Sequence, residues 1–336
     1  MGKILLTNDV LVDKTAFQKA RVDVMTILKK EGYEAVLFPS FRSIKAISAF
    51  WKRLSGTVKK GDHIAVEFPC FQKRRLYLVK LFTLLRKVPF YVIIHDITSL
   101  RQQISPAKEI AALKLFDGAV SHNYSMTRWL RENGYTKKIV DLCAFDYLTE
   151  ENLPYAIAEG TKPFQLMYAG NLSFAKAEYI YHPGFAGYKN FKLNVYGQYL
   201  EEDKFKGSGV VYKGTFNPGT PVLDTVYQYG LIWEGTSIDT CAGEFGDYIR
   251  YNNSHKFSLY LALGLPVIAW KQAAIAKFIL EHQIGFVVDS IGQLNDMLEH
   301  GEHDQYQGYV KNVKALSSKI RNGYFMKTAM DQLANP

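Results

Sequence analysis

The alternation of short apolar runs with amphipathic stretches constrains this chain more than any single motif does. KILLT (3–7), EAVLF (34–38), DHIAVEF (62–68), PFYVIIHD (89–96), GAVSH (118–122) and KIVDLC (138–143) have the length and apolar density of strands. Between them, AFQKARVDVMTILKKEG (16–32) and RRLYLVKLFTLLRKV (74–88) carry helical spacing, the first closed by Lys29, Lys30 and Gly32. Repetition of strand, helix and strand builds a parallel sheet with helices on both faces. The rhythm lapses at TEENLPYAIAEGTKP (149–163), a polar stretch with two prolines that reads as a linker. It resumes with FQLMYAG (164–170), KLNVYG (192–197), GVVYKG (209–214), YGLIWEG (229–235), LPVIAW (265–270) and GFVVD (285–289). At 336 residues the chain exceeds what one core ordinarily supports. Two α/β domains are therefore expected, over residues 1–158 and 159–312, with a helical tail over 313–336 that crosses back to the first.

Four runs of the second series end in glycine: Gly170, Gly197, Gly214 and Gly235. A glycine at the carboxyl end of a parallel strand permits a tight turn and lets a ligand approach the backbone, which is where open α/β sheets place their sites. Any one of them alone reads equally as a simple turn; four together point to a ligand cleft. Two doubly wound, Rossmann-like domains in tandem, with a cleft between them and a ligand site in the second, resemble the GT-B architecture of sugar-nucleotide glycosyltransferases. Some epimerases and phosphorylases share that fold, so it does not by itself decide function.

The net charge of +9, from 41 basic and 32 acidic residues, favours an acidic ligand: a phosphate, a nucleic acid or an anionic membrane surface. The basic residues are spread along the chain, and the densest runs, Lys59-Lys60 and Lys73-Arg74-Arg75, are short. With no nucleic-acid module signature beside them, no nucleic-acid partner is expected. MGKILLTNDV lacks the apolar core of a secretory signal, and no apolar run reaches the ~20 residues that span a bilayer, so a cytoplasmic protein without a membrane span is expected. Cys70, Cys143 and Cys241 are odd in number and far apart, as reduced buried thiols would be. There is no Asp-x-Asp to clamp a metal, no G-x-G-x-x-G and no P-loop; neither metal nor cofactor is expected.

Within this frame YIRYNNSHKFSLYLALGLPVIAW (248–270) stands out, a polar cluster running straight into an apolar helix and strand. One reading is a solvated helix cap by Asn252 or Asn253. The other is an anion site, since a helix N-terminus presents unpaired N–H groups and partial positive charge. Lys256 lies a turn inside that helix, and Lys256 with Arg250 supplies the cations that a leaving diphosphate needs in the absence of metal. Tyr251 sits beside them. In the GT-B fold that the chain resembles, the loop corresponding to YAGNLS (168–173) opens onto the diphosphate and donor sugar, which implies that role for Gly170 and Asn171; a plain helix cap by Asn171 or Ser173 fits equally. YKGTFNP (212–218) lies where enzymes of that fold hold the nucleobase, so the resemblance implies a nucleobase and ribose edge at Gly197 and Gly214, with Phe216 either stacking on a base or stapling the next helix. The long polar loop WEGTSIDTCAGEFGDYIRYNN (233–253) is expected to wrap the donor sugar with Ser237, Thr240 and Cys241. In the first domain IIHDITSLR (93–101) ends a buried strand on His95 and Asp96. Asp96 is the expected catalytic base and His95 the alternative, though a cap role for Asp96 fits the same pattern. Asn8 and Arg101 face the acceptor side, and Glu67 is a further carboxylate.

Taken whole, HDITSLR, MYAGNLS, LNVYG, YKGTF and GDYIRYNNSHKFSLYLALGLPVIAW resemble the glucosyltransferase 3 family of serine-rich-repeat adhesin glycosylation, itself related to galactofuranosyltransferases. The resemblance implies a cytosolic, metal-independent homo-oligomer, dimer or tetramer, that moves glucose or GlcNAc from a UDP-sugar onto a GlcNAc-modified Ser/Thr glycoprotein. It makes Asn253 and Lys256 UDP-binding candidates. A UDP-sugar epimerase and a non-catalytic partner of a glycosyltransferase are the alternative functions. The N-terminal acceptor loop, TNDVLVDKTAF, matches the family poorly, so the resemblance speaks to the donor more than to the acceptor.

Overall fold

A computed structural model of the chain describes residues 2–7, 16–38, 44–70, 73–150, 154–158, 162–223, 225–300 and 305–335. The first sheet is built from β1 (Lys3–Thr7), β2 (Tyr33–Leu37), β3 (His63–Phe68), β4 (Phe90–Ile94), β5 (Gly118–Ser121) and β6 (Lys138–Asp141). Its order is β2-β1-β3-β4-β5-β6, and every pairing is parallel. The strands at its centre, HIAVEF and FYVII, are buried on both faces, as parallel strands covered by helices must be, whereas β2 at the edge is buried only in part. One polar residue of a central strand, Glu67, is buried among these apolar neighbours.

The second sheet holds β7 (Phe164–Ala169), β8 (Phe191–Tyr196), β9 (Val211–Tyr212), β10 (Tyr229–Ile232), β11 (Val267–Trp270) and β12 (Gly285–Val288), again all parallel, in the order β12-β11-β10-β7-β8-β9. From β7 the chain winds outward through β8 and β9, then returns to β10 and winds the other way. The direction therefore reverses between β7 and β10, and at such a reversal the connections leave in opposite directions and open a crevice beyond the carboxyl ends. This is the feature that positions the site.

The chain divides into two units, one containing the first sheet and taking up the chain again at Gly323, the other running Cys143–Asn322. The expected boundary at 158/159 thus falls inside the second unit. Its polar composition resembles a linker, but the segment's backbone is tied to the second unit: Ala156 N–H donates to Leu263 O at 3.0 Å, and Ala158 N–H to Tyr227 O at 2.8 Å. The expected boundary at 312/313 falls within the helix Tyr306–Arg321. There Arg321 Nε donates to Ala262 O at 2.9 Å, satisfying a carbonyl at the end of the helix His255–Ala262. Gly323, at φ +80, then breaks the chain, and the helix Tyr324–Ala334 packs on β5 and β6. Among the described residues no helix is long and apolar enough to cross a membrane.

His122 follows β5 immediately and is buried, its Nε2 bonded to Ile94 O at 3.1 Å. Burial, with the neighbouring His95 second, pushes its pKa down to about 3 from the ordinary 6.5. Between those values the unfolded chain binds a proton that the folded chain refuses, so this contribution to stability is complete above pH 6.5 and is lost as the pH falls towards 3. The loss is about 1 kcal/mol per pH unit. Thermal melts from pH 7.5 to 5 are expected to fall with pH, and the fall should be shallower in His122→Gln; an identical slope in the variant would remove His122 as the cause.

Candidate functional site

At the fork between β7 and β10 the two strands pair only at Tyr229 with Leu166 and Gly230 with Met167. Beyond that point a side chain bridges them: the Tyr260 hydroxyl donates to Leu231 O and accepts from Ala169 N–H, each at 3.1 Å. Its ring lies directly over Gly230, where an added Cβ would stand 2.2 Å from Tyr260 Cγ. Gly230 is therefore the condition for Tyr260 to reach the fork. Lys256 lies one turn earlier on the same helix face. Its amine enters the same fork, forming a short, buried ion pair with Glu234, which follows β10.

Tyr168 completes the cluster. Its hydroxyl donates to Glu234 Oε2 at 3.2 Å, and Lys256 Nζ stands 3.4 Å from the hydroxyl oxygen and 4.5 Å from the ring centroid. Burial lowers the Lys256 pKa, opposed by the Glu234 carboxylate and assisted by the charge of Lys176. Burial, with Glu234 second, raises Tyr168 well above its ordinary value, which keeps it a hydrogen-bond donor at neutral pH. A buried ammonium and carboxylate each need the other here, because either alone would carry its full desolvation penalty.

The surrounding loops are held by close backbone approach. A Cβ on Gly235, at φ +98, would fall 1.9 Å from Ala242 O, and one on Gly197 1.8 Å from Gly170 O. Gly197 N–H in turn donates to Gly214 O at 2.9 Å, so three of the four strand-end glycines form one stack at the carboxyl end of the sheet. The stretch 233–253, expected as a continuous loop, contains the short helix Gly243–Tyr248.

Several expected roles meet other partners. Lys256, expected to reach a diphosphate, turns its amine to Glu234. Neither Asn252 nor Asn253 caps the helix: Ser254 occupies that position without a side-chain bond, and Asn253 Nδ2 donates instead to Cys143 O at 2.8 Å. Arg250 lies over the Trp270 ring at 4.3 Å, bonds Gln272 and sits 3.7 Å from Asp247. Cys241 is buried, accepts from Glu234 N–H at 3.5 Å, and its thiol pKa is raised by that burial, so it packs under the loop and does not face it. Cys143 is exposed, against the expectation of three buried thiols. Asn171 Oδ1 accepts from Ser173 N–H at 2.9 Å, ordering the turn after Gly170. Ser237 supplies its carbonyl to the Trp233 indole at 2.9 Å and its hydroxyl to Asp239 N–H at 3.0 Å; Thr240 and Tyr251 are half-buried nearby in sequence. Phe216 packs edge-on against Tyr196, with centroids 5.5 Å apart, and is half-buried.

In the first unit, Glu67 Oε1 accepts from His95 Nε2 at 2.9 Å, both side chains being buried. Asp96 Oδ2 accepts from Arg101 at 2.7 Å and remains partly exposed. These four residues stand together at the carboxyl ends of β3 and β4. Asn8 lies outside the described residues.

Two family models cover nearly the whole chain: the glucosyltransferase 3-like N-terminal domain at residues 3–143 and the C-terminal domain at 166–333. The chain belongs to the glucosyltransferase 3-like family. It is 34% identical over 278 residues to the beta-1,6-galactofuranosyltransferase WbbI of Escherichia coli K12, covering 82% of this chain and 80% of that protein. It is also 34% identical over 101 residues to glucosyltransferase 3 of Streptococcus gordonii, covering 30% of this chain and 29% of that protein. Among solved structures, HepE of Anabaena in complex with UDP and glucose superposes with a TM-score of 0.59 at 14% identity, covering 99% and 98% of the two chains. Sucrose-phosphate synthase of Thermosynechococcus elongatus superposes with a TM-score of 0.62 at 11% identity, again covering 99% and 98%. These likenesses establish the GT-B fold, and this family member is a glycosyltransferase.

Reading the sequence of this glucosyltransferase 3-like chain missed Glu234, Tyr168, Tyr260 and Lys176. Two signals were available: Glu234 is an acid directly behind the apolar run YGLIW, and Tyr260 follows Lys256 by four residues on a largely apolar helix. If the ion pair is structural, Lys256→Met strands the Glu234 carboxylate and is expected to cost about 3–5 kcal/mol. The double variant Lys256→Met/Glu234→Gln should recover most of that loss in urea denaturation. Simple additivity of the two single variants would show that the charges do not depend on one another.

Proposed function

We propose that this glycosyltransferase transfers a hexose from a UDP-sugar to an acceptor hydroxyl, with the donor held at the carboxyl end of the second sheet. The observation that carries this reading is the fork at β7 and β10, where a cation pair of lysines, an uncapped helix start and glycine turns converge in a chain of this family. In the transfer, the bond from the anomeric carbon to the diphosphate oxygen breaks, a bond to the acceptor oxygen forms, and the acceptor proton passes to a base. Charge then develops on the departing diphosphate. Lys256, already balanced by Glu234, fixes the geometry. Lys176, whose Nζ lies 5.0 Å from the Phe245 ring centroid and is in no ion pair with a described residue, supplies the mobile countercharge. First-turn N–H groups of the helix His255–Ala262 add oriented dipoles, so the reaction proceeds without a metal ion.

Asp96, steadied by Arg101, is the proposed base, because it keeps exposed surface while the His95 imidazole is enclosed and engaged by Glu67. The resemblance to the glucosyltransferase 3 family favours glucose or GlcNAc as the sugar and a GlcNAc-modified Ser/Thr peptide as acceptor. The galactofuranosyltransferase matches over most of both chains, which favours galactofuranose with a saccharide acceptor. All three donors share the UDP moiety and differ only beyond the diphosphate.

Purified protein in EDTA is expected to turn over one of UDP-glucose, UDP-GlcNAc or UDP-galactofuranose when offered a GlcNAc-Ser/Thr peptide or a hexoside. No transfer with any of these would remove the reading. Lys176→Ala should weaken UDP binding by roughly tenfold in calorimetry without lowering thermal stability, as expected for one lost phosphate contact. Asp96→Asn should reduce transfer by about 10²–10⁴-fold while UDP affinity is kept; near-wild-type transfer would rule out Asp96 as the base.

A further inference from the structure

The helix Lys73–Arg86 has two apolar faces. Leu76, Val79 and Phe82 point into the core, where Phe82 meets the Trp51 ring of the helix Ile44–Thr57 edge-on at 5.6 Å. On the opposite side Tyr77, Leu81, Leu84 and Leu85 are 50%, 48%, 62% and 67% exposed. Their spacing of four, three and one places them on a single stripe. A covered helix of a parallel α/β sheet ordinarily turns a polar face outward, so an outward apolar stripe calls for an occupant.

The charge of the stretch that carries the stripe says which occupant. Of the chain's 41 basic and 32 acidic residues, 11 basic and 2 acidic lie between positions 44 and 87, leaving 30 of each elsewhere. The whole net charge of +9 therefore belongs to this one stretch. Its two acids do not offset the surface: Asp62 is buried and accepts from Lys59 N–H at 2.7 Å, and Glu67 is buried against His95. Lys45, Lys52, Arg53, Lys59, Arg86 and Lys87 are all exposed, and Arg86 rests 5.7 Å from the Phe82 ring centroid at the end of the stripe.

We propose that this face of the first unit docks on an anionic membrane surface, with Tyr77, Leu81, Leu84 and Leu85 entering the headgroup boundary and the surrounding lysines and arginines contacting acidic lipid headgroups. An apolar stripe bordered by cations is the pattern of an interfacial helix. A second copy of the chain fits less well, because a two-fold contact would set this positive stretch against itself. The inference does not depend on which sugar the enzyme transfers, and its test reads partition, not turnover.

Full-length protein is mixed with phosphatidylcholine vesicles and with vesicles containing about 30% phosphatidylglycerol, then sedimented. Binding is expected on the anionic vesicles alone and should fall sharply in about 0.5 M salt, where charge attraction is screened. Leu84→Ser/Leu85→Ser and Arg86→Ser/Lys87→Ser should each reduce the partition roughly tenfold or more, with thermal stability and UDP affinity retained. Protein that stays in the supernatant with anionic vesicles overturns the proposal, as does binding indifferent to both double variants. A dimer in light scattering that Leu84→Ser/Leu85→Ser converts to monomer also overturns it, since the stripe would then be covered by a second copy.

Discussion

The second unit of the molecule is organised around an ammonium held out of water. Lys256 is buried at the point where the second sheet reverses direction, and a charge in that position persists only beside a countercharge and with its remaining donors occupied. Glu234 provides the countercharge and Tyr168 joins both. For these three to meet, β7 and β10 must part at their carboxyl ends, and the opened backbone groups must still be satisfied. The Tyr260 hydroxyl does so, and it reaches them because Gly230 leaves room for its ring. Strand order, one absent side chain and one tyrosine are thus linked to the placement of a single charge.

The same economy of space governs the loops. Gly197 against Gly170, and Gly235 against Ala242, are backbone contacts too close for any Cβ, so the turns after three strands are fixed by main-chain packing. Cys241 and Trp233 anchor the next loop through bonds to Glu234 N–H and Ser237 O. A phosphate-sized ligand placed here would meet a rim already ordered, which limits the conformational cost of binding.

Strand positions were legible because parallel strands buried on both faces leave apolar runs; each of the twelve runs named from sequence overlaps one of the twelve strands among the described residues, two of them starting one residue late, at β2 and β8. Glycines at strand ends likewise announced close backbone approach. What escaped was pairing. Lys256 was recognisable as a lysine at a helix start, but nothing in one sequence says that its amine faces Glu234, twenty-two residues earlier and on another element. Asn252 and Asn253 had cap composition, yet the geometry of the turn gives that position to Ser254. The segment near 158 had linker composition because its side chains are polar, while its order comes from backbone bonds that side-chain patterning does not encode.

The two units also differ in how their buried polar groups answer to pH. In the second, the enclosed groups around the fork are largely tyrosines: burial raises the pKa of Tyr168, Tyr179 and Tyr260, so all three stay protonated at neutral pH and below. Burial lowers Lys256, but the Glu234 carboxylate opposes that shift and gives the ammonium a partner. In the first unit the enclosed groups include His63 and His122, pushed down to about 4 and about 3 by burial, and both must remain neutral to stay inside. The buried tyrosines of the fork keep their protons as the pH falls, whereas each proton that His63 or His122 takes up on unfolding is one the folded first unit refuses, so acid weakens that unit through these two imidazoles.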